Sequence, residues 1–169
     1  MKQFDRALTA LNRATVAALL ATVFLIVFAN VVLRYIFGFS LSWVEELSRY
    51  LMIWSAWLAM GLALREGAHI AIDSLLAALP RDAARMLRAV VFSAIVIFAV
   101  SLIWLGSNYA LFAWGQKTAV LRLSLGMIYL AIPIGALLLL IHAGLIWRRM
   151  INDAPDAEEQ AQAAELSVL

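Results

Sequence analysis

Four charged residues stand close together between two long apolar stretches of the chain. Arg34 ends the first stretch, and Glu45, Glu46 and Arg49 begin the second. Glu45 and Arg49 have the i, i+4 spacing that favours an ion pair on a helix, while Glu46 points about 100° away, towards Arg34. An unpaired arginine or glutamate within a bilayer costs about 3 kcal/mol or more. The sequence therefore predicts structural ion pairs, or contacts with a second subunit, in this cluster.

Few other side chains are suited to chemistry. Glu45 or Glu46 is also a candidate to bind a proton, a sodium ion or a substrate cation, but the neighbouring bases favour structural pairing. His69 and His142 fall on the same predicted side of the membrane, which leaves a bis-histidine haem as an alternative. The chain has no cysteine, which excludes disulfides and cysteine-bound metals. No grouping of nucleophile and base predicts an enzyme, and neither a catalytic residue nor a metal site is predicted.

The elements that carry these residues are predicted to be membrane-spanning helices. Of the 169 residues 65% are hydrophobic and only 14% are charged, with a mean hydropathy of +0.92. About 20 apolar residues cross a bilayer as a helix. Four uncharged stretches predict spans near residues 14–35, 45–64, 87–114 and 124–147. We therefore expect an all-α integral membrane protein, with one four-helix transmembrane domain over residues 1–150 and an acidic cytoplasmic tail over residues 151–169.

The basic residues predict the orientation of these spans. If the four helices cross in order, nine of the 13 bases share one side. The other four lie on the opposite side: Arg34, Arg49, Lys117 and Arg122. The positive-inside rule then places both termini and the middle loop in the cytoplasm. Because topology accounts for the net charge of +2, no nucleic-acid partner is predicted.

The middle loop, between spans two and three, has a helical pattern of its own. Within residues 69–79 the apolar side chains recur at helical spacing, which predicts a short amphipathic helix in the inner interface. A coincidentally amphipathic loop is the alternative. Pro80 ends this segment, and three bases follow at i, i+4 and i+7, where they would anchor the chain to anionic lipid: Arg81, Arg85 and Arg88.

Span two also carries small residues every four positions, at Ser55, Ala59 and Ala63. This spacing predicts a helix-packing seam, a flat strip that a second helix can approach closely. The second helix is either another helix of this chain or one of a partner subunit. In span four, Pro133 and Gly135 predict a kink.

Several motifs fall in register with the predicted spans. They are Asn30-Val-Val-Leu-Arg34-Tyr35, Leu41-Ser-Trp43-Val-Glu45-Glu46-Leu-Ser-Arg49, Leu64-Arg65-Glu66-Gly67-Ala-His69-Ile-Ala-Ile-Asp73, Trp114-Gly115-Gln116 and Tyr129-Leu-Ala-Ile-Pro133-Ile-Gly135. Over roughly residues 10–150 they resemble the small membrane subunit of tripartite ATP-independent periplasmic (TRAP, DctQ-like) transporters. The motif positions carried over are Asn30, Trp43, Arg65, His69, Asp73, Gln116, Pro133 and Gly135.

The resemblance implies a non-catalytic scaffold subunit. It would stabilise and anchor a large elevator-type (DctM-like) membrane subunit that carries the sodium and substrate sites, with no cofactor in this chain. An extracytoplasmic (DctP-like) binding protein would deliver an organic acid. The segment after Gln116 departs from the family pattern, which puts contacts of the outer loop with the binding protein in doubt. A haem-binding membrane anchor and an independent four-span carrier are the alternatives; the latter needs an acid inside span one, and Asp5 is the only acid before Glu45.

Overall fold

The computed structural model describes residues 2–67 and 80–152. The predicted interfacial helix at 69–79, with His69 and Asp73, lies outside these residues, as does nearly all of the tail at 151–169. Both therefore stay predictions.

The described chain is built from four long helical segments. Helix α1 covers Lys2–Phe37, α2 Ser42–Gly67, α3 Arg81–Phe112, α4 Leu125–Tyr129 and α5 Ala131–Asn152, with a short 3-10 turn at Ala113–Gly115. The segments Gln3–Phe37, Ser42–Arg65, Ala83–Gly115 and Leu125–Trp147 are each long and apolar enough to cross a membrane. The predicted all-α, four-span architecture is confirmed. The helices run beyond the predicted spans, most clearly α1, which begins well before residue 14.

The first hairpin, between α1 and α2, is closed by an asparagine side chain; we call its side of the assembly outer, after the predicted orientation. Gly38 adopts a left-handed φ of 73°, which glycine accommodates without steric cost. The Asn30 side-chain oxygen accepts a hydrogen bond of 2.7 Å from the backbone N–H of Leu41. Asn30 therefore ties the end of α1 to the start of α2.

Helix α5 occupies the centre of the assembly. It packs against α2 on one side and α3 on the other, while α1 packs against α2, and α4 against α3. Three alanines of α5 are completely buried at these contacts: Ala131, Ala136 and Ala143. Small side chains let helix backbones approach closely, which is how helices associate where lipid removes the hydrophobic driving force.

Two residues of the predicted kink have separate roles. The fourth span is interrupted at Leu130, between α4 and α5. Pro133 lies in the first turn of α5, where a missing N–H is tolerated best. Gly135 faces α2: a Cβ built there would lie 2.6 Å from the backbone oxygen of Trp57. The glycine is therefore required by a close helix crossing.

The predicted small-residue seam on α2 divides between two sides of the helix. Ser55 is buried and its hydroxyl donates to the backbone oxygen of Met52 at 2.8 Å. Ala59 is half-buried, but Ala63 is exposed. Helix α5 approaches α2 closely at two other positions, at Trp57 and at Gly61, which lies against the His142 ring.

The predicted orientation can be tested with single cysteines, because the chain contains none. We expect Ser42→Cys and Lys117→Cys, both exposed on the predicted outer side, to react with a membrane-impermeant maleimide added to intact cells. Arg6→Cys, exposed on the predicted inner side, should react only after the membrane is opened. The reverse pattern would invert the topology.

Candidate functional site

The outer end of the assembly is organised around the carboxylate of Glu46. This side chain is only 8% exposed. Its Oε2 accepts hydrogen bonds from the backbone N–H groups of Val120 at 2.7 Å and Leu121 at 3.4 Å. Its Oε1 accepts from the Tyr50 hydroxyl at 3.0 Å. The acid of α2 thus binds the loop between α3 and α4.

This loop, residues 116–125, is a compact second outer hairpin. The backbone N–H of Thr118 donates to Leu123 O at 2.8 Å, and the N–H of Leu123 donates back to the Thr118 hydroxyl at 3.0 Å. Arg122 adopts a positive φ of 54°, which turns the chain at the tip. Ser124 Oγ donates to the backbone oxygen of Trp114 at 2.7 Å. The successive N–H groups of Val120 and Leu121 at the tip point to the same side and bind the Glu46 carboxylate.

The ion pairs predicted for the outer cluster are therefore not those of the structure. Glu46 binds backbone and hydroxyl donors, whereas Arg34 was expected to pair with it. Within residues 2–67 and 80–152, Arg34, Glu45 and Arg49 form no ion pair with one another, and all three are exposed. Sequence reasoning missed the hairpin because its N–H donors lie more than 70 residues from Glu46 and carry no side-chain signal. A role at a subunit interface stays a prediction.

The dependence of this hairpin on Glu46 gives a testable prediction. Glu46→Gln keeps one oxygen that can accept from the loop but removes the negative charge, so the two bonds to the loop lose their charge assistance. We expect faster amide hydrogen exchange at Val120 and Leu121, by about tenfold for a loss near 1.4 kcal/mol. Glu45→Gln is the matched control, because the neighbouring carboxylate is exposed. Unchanged exchange in Glu46→Gln would show that the carboxylate does not hold the loop.

A second polar cluster joins three helices at the opposite end. The Arg65 guanidinium of α2 forms an ion pair with Asp5 of α1 through NH2, and its Nε donates to His142 Nδ1 of α5 at 2.7 Å. The Asn12 side-chain amide lies 3.2 Å from His142 Nε2 and donates to Leu58 O at 3.1 Å. We call Asp5, Asn12, Arg65 and His142 the inner cluster. One base and one acid balance within it, so its residues can be buried together.

The histidine of the inner cluster is fully buried. Because Nδ1 accepts from Arg65, the neutral ring carries its proton on Nε2, and the Asn12 side-chain amide lies 3.2 Å from that nitrogen. A haem iron at Nδ1 would have to displace Arg65, which counts against His142 as a haem ligand through that nitrogen. Two members of the inner cluster, Arg65 and His142, were singled out from the sequence, but the contact between them was not predicted. Asp5 and Asn12 were missed, although their i, i+7 spacing puts both on one face of α1.

The other predicted residues are dispersed over the described chain. Trp43 is exposed near the outer start of α2, and Gln116 is exposed at the base of the second hairpin, where its backbone bonds to Ala113 and Leu125. At the inner end of α3, Arg85 is exposed and Arg88 half-buried, while Arg81 begins the helix. Their contact with anionic lipid stays a prediction.

The fold and the two clusters define a multi-pass membrane protein whose internal polar groups bind its own helices. A sequence profile of the family "Tripartite ATP-independent periplasmic transporters, DctQ component" matches residues 23–152. The chain belongs to this family, as its motifs predicted. It is accordingly a transmembrane small permease component of a TRAP transporter in the bacterial inner membrane, a class that is not enzymatic.

Three curated relatives carry the same family designation. A putative TRAP transporter small permease protein of Haemophilus influenzae is 46% identical over 63 residues, which are 37% of this chain and 39% of the relative. The C4-dicarboxylate TRAP transporter small permease protein DctQ of Rhodobacter capsulatus is 30% identical over 104 residues, 60% of this chain and 46% of the relative. The ectoine TRAP transporter small permease protein TeaB of Halomonas elongata is 32% identical over 114 residues, 65% and 58% respectively. The matches thus span about half the length of these relatives.

Proposed function

We propose that the chain is a non-catalytic scaffold subunit of a sodium-coupled importer of organic acids. In this proposal it stabilises and anchors a large elevator-type membrane subunit, which holds the sodium and substrate sites. An extracytoplasmic binding protein delivers the substrate. The family assignment supports a tripartite system, and the relatives named for C4-dicarboxylates and ectoine support a carboxylate, since both compounds carry that group.

The scaffold role is supported by the partners of the polar groups inside the assembly, which are other groups of the same chain. Glu46 binds the outer hairpin, and Arg65, Asp5 and His142 bind one another. A carrier needs polar groups that converge near the midplane and exchange partners with cargo. In the part of the chain that the structure describes, Glu46 lies in the first turns of α2, Asp5 and Arg65 lie near helix ends, and the polar atoms of both clusters already have protein partners. Such groups suit a rigid frame.

Reconstitution tests this proposal. The tagged chain is co-expressed with a large TRAP membrane subunit and a TRAP binding protein from the same genome, and we expect the large subunit to copurify. Proteoliposomes with both membrane subunits should take up radiolabelled succinate or ectoine when binding protein and a sodium gradient are present. Proteoliposomes with this chain alone should take up neither. Uptake by the chain alone, or failure of the large subunit to copurify, would refute the scaffold role.

A further inference from the structure

One side of α2 is left uncovered along the length of the helix. Five of its residues follow an i, i+4, i+7, i+11, i+18 spacing and are all exposed: Glu45, Arg49, Met52, Ala56 and Ala63. We call this set the outward face of α2. The buried residues of the helix, such as Leu58 and Leu62, lie on the other sides, which α1 and α5 cover.

The outward face of α2 is poorly suited to lipid. The uncharged stretch from residue 50 to residue 64 is about 22 Å long as a helix, against a hydrocarbon core of about 30 Å. Arg49 therefore enters the outer part of the membrane. In the described chain neither Arg49 nor Glu45 has an ion-pair partner. A charge at that depth favours a partner that neutralises it.

The uncovered faces of α1 and α3 differ in character. They carry large apolar side chains that lipid solvates well, among them Phe24 and Phe28 on α1 and Phe98 and Trp104 on α3. The polar residues there bond back to their own helix, as Ser101 does to Ile97 O at 2.9 Å. On α1 the exposed alanines, such as Ala18 and Ala21, are separated from the exposed Arg34 by Phe24 and Phe28, whereas on α2 Met52 is the one large apolar side chain exposed between Glu45 and Ala63.

We propose that the outward face of α2 binds one transmembrane helix of the large membrane subunit. This inference rests on the proposed function and names the surface that it uses. Small residues at Ala56 and Ala63 let the partner backbone approach closely, as in other helix pairs in membranes. Arg49 identifies the chemistry of the partner: a helix with a small-residue face and a carboxylate at the depth of Arg49.

Site-specific cross-linking tests the contact. Ala56→Cys is labelled with a benzophenone maleimide in membranes that contain the tagged chain and the co-expressed large subunit, and the sample is then irradiated. We expect a cross-link between the two subunits. Ala94→Cys, exposed on α3, is the matched control and should give no such cross-link. Copurification of the large subunit with the unlabelled variants shows that the complex itself has formed.

The other outcomes each overturn the inference. A product of twice the 18.6 kDa chain would assign the outward face of α2 to a second copy. Cross-links to lipid alone, or a subunit cross-link from Ala94→Cys instead of Ala56→Cys, would leave the face outside the contact while the scaffold role stands. If the large subunit does not copurify with the unsubstituted chain, the proposed function itself fails.

Charge reversal tests the electrostatic half of the inference. We expect Arg49→Glu to reduce the copurified large subunit at least about tenfold, because opposed like charges at an interface cost more than 1.4 kcal/mol. Arg49→Lys should retain most of it. Lys117→Glu is the matched control, an exposed outer base away from the outward face of α2, and should copurify normally. Normal copurification with Arg49→Glu would contradict the predicted carboxylate.

Discussion

Replacement of Gly135 by alanine is expected to destabilise the chain, whereas the same replacement at Gly144 is expected to be neutral or stabilising. Both glycines are in α5. A Cβ at position 135 would lie 2.6 Å from Trp57 O and 2.8 Å from Trp57 Cβ, so the backbones of α2 and α5 must separate. At Gly144 no atom lies within 4 Å of the added Cβ.

The two variants should therefore change the free energy of unfolding in opposite directions. Overpacking costs about 1–3 kcal/mol, and the obstacle here is backbone, which cannot rotate away. Alanine in place of an exposed helical glycine gains at most about 1 kcal/mol. Unfolding of the purified chain in mixed micelles with increasing dodecyl sulfate, followed by far-UV circular dichroism, measures both. Equal midpoints for the two variants would show that α2 and α5 do not cross closely at Gly135.

Replacement of Arg65 by alanine is expected to cost about 3 kcal/mol of stability, at the lower end of values for broken buried ion pairs. The guanidinium serves two helices at once, because NH2 pairs with Asp5 of α1 and Nε donates to His142 of α5. Its side chain is 17% exposed and that of Asp5 29%, so water moderates the loss. The effect should exceed that of any single surface charge.

Two controls separate this geometry from a general effect of charge. Arg65→Lys keeps the positive charge but lacks the planar fork that reaches both partners, so we expect an intermediate loss. Arg6→Ala removes an exposed base from α1 and should leave the unfolding midpoint in dodecyl sulfate unchanged. If Arg65→Ala matched Arg6→Ala in that measurement, the inner cluster would not hold the three helices together.

The four spans were predictable because crossing a membrane requires a pattern that is local in the sequence. A helix in a bilayer needs a long run without charge, and such runs can be read directly from the sequence. Pro133 is a similarly local signal, because proline lacks a backbone N–H wherever it occurs in a helix; the kink predicted there stays a prediction. The full lengths were not predictable, since α1 continues past Arg13 into a segment whose charges set no boundary for the helix.

The partners of the buried polar residues were harder to predict. No base lies four residues before or after Glu46. Its partners in the structure include backbone N–H groups, which look the same at every position of the sequence. The inner cluster depends on which helices are neighbours, and α5 lies between α2 and α3 although it follows both in the chain. Local spacing identifies a face of a helix; it does not identify the helix opposite.

The central place of α5 has a consequence for biogenesis. During synthesis α2 can pack against α1 as soon as it leaves the translocon. Helix α3 can join them only after the last span, α5, is inserted between α2 and α3. Because α3 contains a long uncharged stretch, it is stable in lipid until then. Truncation before residue 125 should therefore leave a nascent chain in which α1 and α2 are packed together and α3 is not yet packed against them.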